Sequence, residues 1–278
     1  MFIAVVALCS CDLAKNNKAL ISEAGKALVE ELDQKDGEAG ACDASAGAAE
    51  ADDKLVMQTS PKGTPEQILK RTGYVASYNK TTLLPNWVAW HLTAERTEGS
   101  AKRSGVDFAE DTEVPEPRAT DWDYYNSGYD RGHMCPAADN KWSKKAMEES
   151  FIFTNMCPHN GNLNRGDWNE MEMACRKWAK KYGDLYIVCG PILYKGKHKT
   201  IGKNKVVVPE AFFKVVLRTG DDPQAIGFIY KNTSGNRPKD SYVNTVDEVE
   251  RITGIDFFPS LPDDVEKKVE AECDLGLW

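Results

Sequence analysis

From about residue 73 onward, the spacing of apolar positions alternates between two types. Short runs rich in branched and aromatic side chains predict strands at residues 73–78, 87–93, 151–154, 185–189, 206–217 and 225–230. Apolar positions three and four apart predict helices at residues 143–150, 164–182 and 245–253, the last after a capping Asn244 or Thr245. The mixture indicates a single α+β domain of about 210 residues, long enough to enclose a substantial core.

The first sixty residues follow a different pattern. Residues 12–60 are rich in Ala, Glu, Asp and Gly and predict an acidic spacer, in which residues 20–32 have helical spacing. Residues 1–8 are apolar, and residues 8–11 (LCSC) resemble the lipobox that is cut before the lipid-carrying cysteine of bacterial lipoproteins. On this interpretation residues 1–11 are a signal, Cys11 is the membrane anchor, residues 61–278 are the folded domain, and the protein is exported. The apolar run is short and has no preceding basic residue, so a frayed terminus is the alternative.

Two polar motifs interrupt the apolar pattern in the middle of the chain. One is DRGH at residues 130–133, and the other is LNRGDW at residues 163–168, where the long helix is predicted to begin. A histidine takes up protons near neutral pH, an arginine binds phosphate, and an amide oxygen is a ligand for a hard divalent cation. Phosphodiester hydrolysis needs these groups, with His133 as the candidate base and Asn164 as the candidate ligand of magnesium.

Positions four residues apart on the long predicted helix form a polar stripe. Its members are Asn164, Trp168, Glu172 and Arg176. Another face has the spacing of a buried apolar stripe and carries Met171, Cys175 and Trp178. Glu172 and Arg176 are also spaced as an ordinary surface ion pair, but the amide at the helix start favours a functional site.

Five sequence blocks in a fixed order resemble one known family. They are residues 86–91 (NWVAWH), 130–133 (DRGH), 154–158 (TNMCP), 163–168 (LNRGDW), and 206–209 (VVVP) with 212–216 (FFKVV). The order is similar to that of the sugar-nonspecific DNA/RNA endonucleases, the ββα-metal or His-Me finger nucleases that include endonuclease G. The resemblance covers residues 73–262. It implies an α+β, ββα-metal nuclease fold in which a central antiparallel sheet is flanked by helices.

The resemblance also implies roles for three residues at the centre of the site. His133 matches the general base, and Asn164 matches the single protein ligand of a hydrated Mg²⁺ ion, a position that Mn²⁺ or another divalent cation also suits. Glu172 matches the helix carboxylate that orients water at the ion. The implied activity is metal-dependent hydrolysis of phosphodiester bonds in DNA and RNA.

Further residues match supporting positions of the family. Arg131 and Arg103 match arginines that bind or stabilise the phosphate, Arg176 matches another helix arginine, and Asn155 matches an asparagine that supports the geometry. The chain departs from the family at His159, where a glutamine is usual, so the local hydrogen bonding there is expected to differ.

A zinc site is an alternative use of the residues around DRGH. His133, Cys135, Cys157 and His159 supply two nitrogen and two sulfur ligands, which zinc binds tetrahedrally. One-residue spacing within each pair is atypical, and a closed site would keep His133 from water. The two cysteines are therefore either buried thiols or a disulfide. Eight cysteines in 278 residues are too few for a disulfide-built miniprotein.

Charge and aromatic residues set the expectations for substrate binding. The formal net charge is −8, but residues 1–60 hold five lysines and eleven acidic residues, so the remainder is near −2. Nucleic-acid binding then requires a locally basic cleft, because phosphate contacts dominate the affinity. Candidate lining residues are Arg103, Arg118, Arg131, Lys141, Lys144, Lys145, Arg165, Arg176 and Lys177. Candidates for stacking on bases are Trp122, Tyr124 and Tyr125.

Other functions and partners remain open from the sequence. A phosphodiesterase for smaller phosphoesters would use the same groups, and a surface protein that binds nucleic acid without cleaving it would keep the same fold. A homodimer and a separate inhibitor protein are partners that the family resemblance suggests. His91 is expected to be a satisfied sheet residue, and His198 lies in a basic loop.

Overall fold

The computed structural model describes residues 54–278. The predicted signal with Cys11, the helix predicted at residues 20–32 and most of the acidic spacer lie outside the described residues. The last spacer residues lie against the domain, where Val56 is buried and Thr59 forms a backbone bridge with Asp256. The domain division remains a prediction. Within the described range, no helix has the length and apolarity needed to cross a membrane.

A seven-stranded antiparallel sheet forms the centre of the domain. In spatial order its strands are β1 (Gln67–Lys70), β2 (Val75–Asn79), β3 (Leu84–Leu92), β6 (Leu185–Ile192), β9 (Ala211–Arg218), β10 (Gln224–Lys231) and β11 (Val243–Asn244). Two short pairs lie outside it: β4 (Asp130–His133) with β5 (Met156–His159), and β7 (Thr200–Ile201) with β8 (Val206–Val207). The β4–β5 pair places His133 opposite Met156 and Asp130 opposite His159.

Six helices accompany the strands in the described part of the chain. They are α1 (Asp121–Tyr124), α2 (Lys144–Glu149), α3 (Gly161–Arg165), α4 (Asp167–Tyr182), α5 (Val246–Thr253) and α6 (Asp263–Ala271). Short polar side chains begin several of them, since Ser143 accepts a hydrogen bond from the N–H of Ala146 and Thr245 accepts one from Glu248. Gly254, in the left-handed conformation at φ 70°, ends α5.

The alternation of side chains along the strands divides the core between the two faces of the sheet. On β9, Phe212 faces the same core as Trp168 of α4, whereas Phe213 faces the core that contains Val249 of α5. Helix α4 and the β4–β5 pair therefore lie on one face of the sheet, and α5 and α6 lie on the other.

Three of the predicted elements are wrong in detail. The strand predicted at 151–154 is instead a 3₁₀ turn, Phe153–Asn155, and the strand begins only at Met156. The run at 206–217 is divided into β8 and β9, because Pro209 has no N–H to donate to a ladder. The long helix is interrupted at Gly166, so that Asn164 lies on the separate single turn α3. Helix α6 was not predicted.

Candidate active site

A cleft of about 1200 Å³ lies where β4, α3 and α4 meet. Six of the seven predicted site residues line it: Arg103, Arg131, His133, Asn164, Glu172 and Arg176. Four elements of the chain supply them: a loop, the strand β4 and the two successive helices α3 and α4. The fold thus brings together residues that lie up to 73 positions apart in the sequence.

The DRGH strand can pair tightly with β5 only because its third residue has no side chain. A Cβ atom at Gly132 would lie 2.0 Å from Nδ1 of His159, well inside van der Waals contact. The His159 ring is completely buried against Phe212, with ring centroids 3.9 Å apart. The close approach of Gly132 to this ring holds β4 at the position that presents His133 to the cleft.

His133 has a nitrogen atom with no partner. Its Nε2 is shielded from solvent and forms no hydrogen bond among the described residues. The ring packs edge-on against Phe151, at 4.9 Å between centroids, and its backbone oxygen accepts a hydrogen bond from Trp168 Nε1. Burial, with smaller contributions from Arg103 and His159, lowers the pKa of His133 to about 3. The imidazole is therefore neutral at physiological pH.

Both polar atoms of the Asn164 side-chain amide form hydrogen bonds. Its Nδ2 donates to Asp130 at 3.1 Å, and its Oδ1 lies 3.2 Å from Nδ1 of His159. Burial lowers the pKa of His159 to about 4, so a neutral ring with its proton on Nδ1 donates to Asn164. Asp130 also accepts from Arg165 at 2.7 Å. The first residue of DRGH and the unusual histidine together orient the amide.

Glu172 lies on α4, one helical turn from Arg176, and faces the same cleft. Burial is the main reason that its pKa is raised to about 7, and the buried Asp139 adds to the rise. Lys214, Arg176 and Arg103 act in the opposite direction. The carboxylate is thus ionised at neutral pH only in part, and any further positive charge in the cleft would favour its ionised form.

Arg176 and Asp139 form a buried ion pair. Nη1 of Arg176 lies 2.9 Å from Oδ1 of Asp139, whose other oxygen accepts from Trp90 Nε1 at 3.1 Å. Asp139 is only 2% exposed, so each of its oxygens needs the partner it has. Arg176 is consequently fixed in direction along the wall of the cleft.

The other two predicted arginines are held more loosely. Arg131 pairs with Asp121 at 2.6 Å and lies over the ring of Phe108, at 4.6 Å from its centroid. Arg103 lies over Phe151 at 5.5 Å and makes no ion pair within residues 54–278. Both guanidinium groups rest on aromatic faces and keep donors free for an anion.

Asn155 does not line the cleft. It is fully buried, and its side chain accepts from the N–H of Cys135 at 2.9 Å and donates to the carbonyl of Cys135 at 2.8 Å. It also donates to the carbonyl of Ser150. These bonds fix the backbone two residues beyond His133. Asn155 therefore supports the strand that carries His133.

The alternative zinc site has no structural counterpart. In the part of the chain that the structure describes, the one group of three or more clustered His, Cys, Asp or Glu ligands is acidic and lies elsewhere. Cys135 and Cys157 are buried free thiols, which excludes a disulfide between them. His91 is paired with Asp184 at 2.7 Å and stacks on Tyr186, as expected for a sheet residue.

Some of the residues expected to contact the substrate are exposed or line the cleft, and others are buried or paired elsewhere. Trp122 and Tyr125 are exposed, at 80% and 62%, whereas Tyr124 is 4% exposed and packs on Phe153, so a stacking role for Tyr124 is wrong. Of the basic candidates outside the predicted site, those that line the cleft are Lys141 and Arg165. Those that pair with carboxylates elsewhere are Arg118, Lys144 and Lys145.

Two buried charged residues near the cleft were missed. Lys214 is 0% exposed, with its ammonium 4.3 Å from the Trp168 ring centroid, and it interrupts an apolar run in a central strand. That interruption is a detectable signal, because a lysine is rarely fully buried unless its charge is paired. Asp139 carries no comparable signal, since an isolated aspartate in a polar segment is usually exposed.

A neutral histidine on a two-stranded antiparallel pair, in one cleft with an amide and a carboxylate on the helices that follow, is the arrangement of the ββα-metal class of nucleases. The chain belongs to the DNA/RNA non-specific endonuclease family, whose model matches residues 52–264. The prediction of family and fold is therefore confirmed, and the predicted nuclease function agrees with the family.

Individual relatives support the same conclusion. Over 206 residues the chain is 39% identical to mitochondrial nuclease EXOG of Danio rerio, covering 68% of this chain and 60% of that protein. It is 33% identical over 209 residues to mitochondrial endonuclease G of Homo sapiens, covering 70% of each. A crystal structure of an EndoG/EndoGI complex, described as the mechanism of EndoG inhibition, matches with a TM-score of 0.68 and 31% identity, covering 71% of this chain and 87% of that one. The chain spans about 60% of the length of the EXOG relatives.

The prediction of an exported bacterial lipoprotein anchored through Cys11 is wrong. The relatives are named as mitochondrial nucleases of vertebrates or as nucleases of Cunninghamella echinulata and Syncephalastrum racemosum, and not as bacterial lipoproteins.

Proposed function

We propose that the chain is a divalent-metal-dependent endonuclease that hydrolyses phosphodiester bonds of DNA and RNA without sequence preference. The observation that carries this proposal is that His133, with a neutral imidazole, lines the same cleft as Asn164 and Glu172. A base, an oxygen ligand and a carboxylate then face one bound phosphate. The mitochondrial and fungal nucleases to which the chain is similar support the substrate class.

His133 acts as the general base in this proposal. Its depressed pKa keeps the imidazole unprotonated over the whole neutral range, so a ring nitrogen has a lone pair available for a proton from water. Contacts with Phe108 and Phe151 restrict the orientation of the ring, so the imidazole is held in position before the substrate binds.

The donor set fits a hard divalent cation. Asn164 offers an amide oxygen and Glu172 a carboxylate, and hard cations such as Mg²⁺ or Mn²⁺ prefer oxygen donors and retain several waters. A bound Mg²⁺ supplies charge stabilisation for the phosphoryl oxygens and the leaving alkoxide. Asn164 would hold the ion, and Glu172 would accept hydrogen bonds from water beside it.

The arginines bind the phosphate, which is common to DNA and RNA. Arg103 and Arg131 have N–H donors available in the same cleft as His133, and Arg176 is held by its ion pair with Asp139. Contacts to phosphate carry no base information, and they therefore account for cleavage with little sequence preference. A phosphodiesterase for small phosphoesters is the second candidate, since these groups would also bind an isolated phosphate.

The test uses plasmid DNA, RNA and bis-p-nitrophenyl phosphate as parallel substrates. We expect the wild type to cleave both polymers with Mg²⁺ and not with EDTA, and His133→Ala to lose at least 100-fold in rate while remaining folded. His198→Ala, outside the cleft, is the matched control and should retain activity. Cleavage at the wild-type rate by His133→Ala would contradict the assignment, and faster turnover of the small ester than of the polymers would favour the second candidate.

Two partners follow from the family. An inhibitor protein is proposed because the structural relative was solved in complex with EndoGI, and an acidic inhibitor segment would complement the arginine-lined cleft. A homodimer remains a prediction, for which sedimentation equilibrium of the purified chain is the direct measurement.

A further inference from the structure

Two helices on the sheet face opposite the cleft bring carboxylates together. Asp247 and Glu250 lie three residues apart on α5, and Glu270 lies on α6, which contacts α5 and β10. Residues three apart share one face of a helix. One carboxylate oxygen from each of the three residues lies within 4.8 Å of the other two. Helices α5 and α6 therefore direct acidic side chains at each other.

Glu270 is the buried member of this group. It is only 7% exposed, and its Oε1 is shielded from solvent without a hydrogen-bond partner among the described residues. A buried polar atom in this state costs free energy unless something coordinates it or donates to it. Such an oxygen, in a residue whose carboxylate lies near two others, is a candidate ligand for a cation.

The charge of the group is not balanced by basic side chains. Burial raises the pKa of Glu270 to about 8, and the charged neighbours that raise it further are all acidic: Glu250, Glu266, Asp247 and Asp256. Arg251, the basic residue of α5, is paired with Glu248 at 2.6 Å. The raised pKa leaves Glu270 largely protonated at neutral pH, and a cation bound between the two helices would favour its ionised form.

We propose that Asp247, Glu250 and Glu270 form a second divalent-cation site that ties α5 to α6 and is separate from the nuclease cleft. Its donors are all oxygen atoms, which selects hard cations and disfavours zinc or copper. Three carboxylates and an exposed edge at Asp247 suit Ca²⁺, which takes six to eight oxygens in flexible geometry and completes its shell with water.

The role of this site is structural. Val249 and Val269 extend from the same two helices into the core beneath, where they pack with Phe257. An ion between α5 and α6 would hold both helices against that core. The site shares no residue with the cleft, so it is independent of the proposed nuclease chemistry.

Calorimetric titration of the full, metal-free chain with CaCl₂ tests the proposal, and the Asn164→Ala background removes the proposed cleft ligand. We expect one Ca²⁺ per chain in this background, and at least tenfold weaker binding when Glu270→Gln is added. Glu272→Gln makes the same change of charge at an exposed position two residues further on and should leave binding unchanged. Glu270→Gln replaces the carboxyl group by an uncharged amide of the same size, so we expect this variant to fold without metal.

Thermal unfolding gives an independent readout. Ca²⁺ should raise the Tm of the Asn164→Ala protein by several degrees and leave that of the Asn164→Ala/Glu270→Gln protein unchanged. Equal binding and equal stabilisation with and without the Glu270 substitution would overturn the proposal. So would an absence of Ca²⁺ binding to the Asn164→Ala protein at millimolar concentration.

Discussion

The ring of His159 contacts two functional segments at once: its Nδ1 lies 3.2 Å from Oδ1 of Asn164, and the same ring fills the space beside Gly132. The strand that carries the proposed base and the turn that carries the proposed ligand are thereby positioned by one buried side chain. The histidine that departs from the usual glutamine of the family acts as a hydrogen-bond donor and as a packing group.

Replacement of His159 separates these two roles. His159→Gln keeps an amide N–H that can donate to Asn164, and we expect cleavage within about tenfold of wild type. His159→Leu keeps bulk but not the donor, and the Mg²⁺ concentration for half-maximal cleavage should rise about 10- to 100-fold, the usual effect of losing a group that orients a metal ligand. Cleavage assays across a Mg²⁺ series measure both. An unchanged Mg²⁺ requirement for His159→Leu would show that the contact does not orient the amide, and His198→Leu is the control.

Gly132→Ala should damage the site through packing. The added Cβ would lie 2.0 Å from the buried His159 ring, so strand β4 or the ring must move. We expect a loss of roughly 1–3 kcal/mol in the free energy of unfolding, as for other overpacked cores, together with a loss of cleavage. Urea unfolding followed by tryptophan fluorescence measures the first. Gly196→Ala, where a Cβ meets no atom within 4 Å, should change neither quantity.

Removal of the buried partner of Arg176 should destabilise the domain. Asp139→Ala leaves Arg176 without its carboxylate and Trp90 without its acceptor, at a cost of about 3–5 kcal/mol in the free energy of unfolding. Glu148→Ala removes an exposed ion pair with Lys144 and should cost less than about 1 kcal/mol. Equal effects in urea unfolding would mean that the buried pair contributes no more than a surface pair.

The depressed pKa of His133 predicts a pH dependence of stability. The folded chain protonates this ring only near pH 3, whereas the unfolded chain protonates it near the ordinary value of 6.5. Stability is thus fully present above pH 6.5 and is lost as the pH falls from 6.5 towards 3. Between pH 7.5 and pH 5, metal-free wild type should lose about 2 kcal/mol more than His133→Gln. Parallel losses in urea unfolding of the two proteins would contradict the shift.

Local patterns in the chain were sufficient for much of the architecture. The apolar runs that became β3, β6, β9 and β10 need no tertiary information, because each lies in the centre of a sheet and is apolar on both faces. Boundaries were less secure where proline or glycine changes the backbone, as at Pro209 and Gly166. The helix α6 was missed because its sequence is mainly charged and only Val269 and Glu270 are buried.

The sequence by itself identified the family, because the ordered motifs are specific to it, and it supplied the candidates for a base, an amide ligand, a carboxylate and phosphate-binding arginines. Only the tertiary structure decided how these groups are held. The contact of His159 with Asn164, the pair of Asp139 with Arg176 and the burial of Lys214 join strands and helices that are distant in the chain. Such contacts depend on the packing of whole elements, and they cannot be predicted from the spacing of side chains within one element.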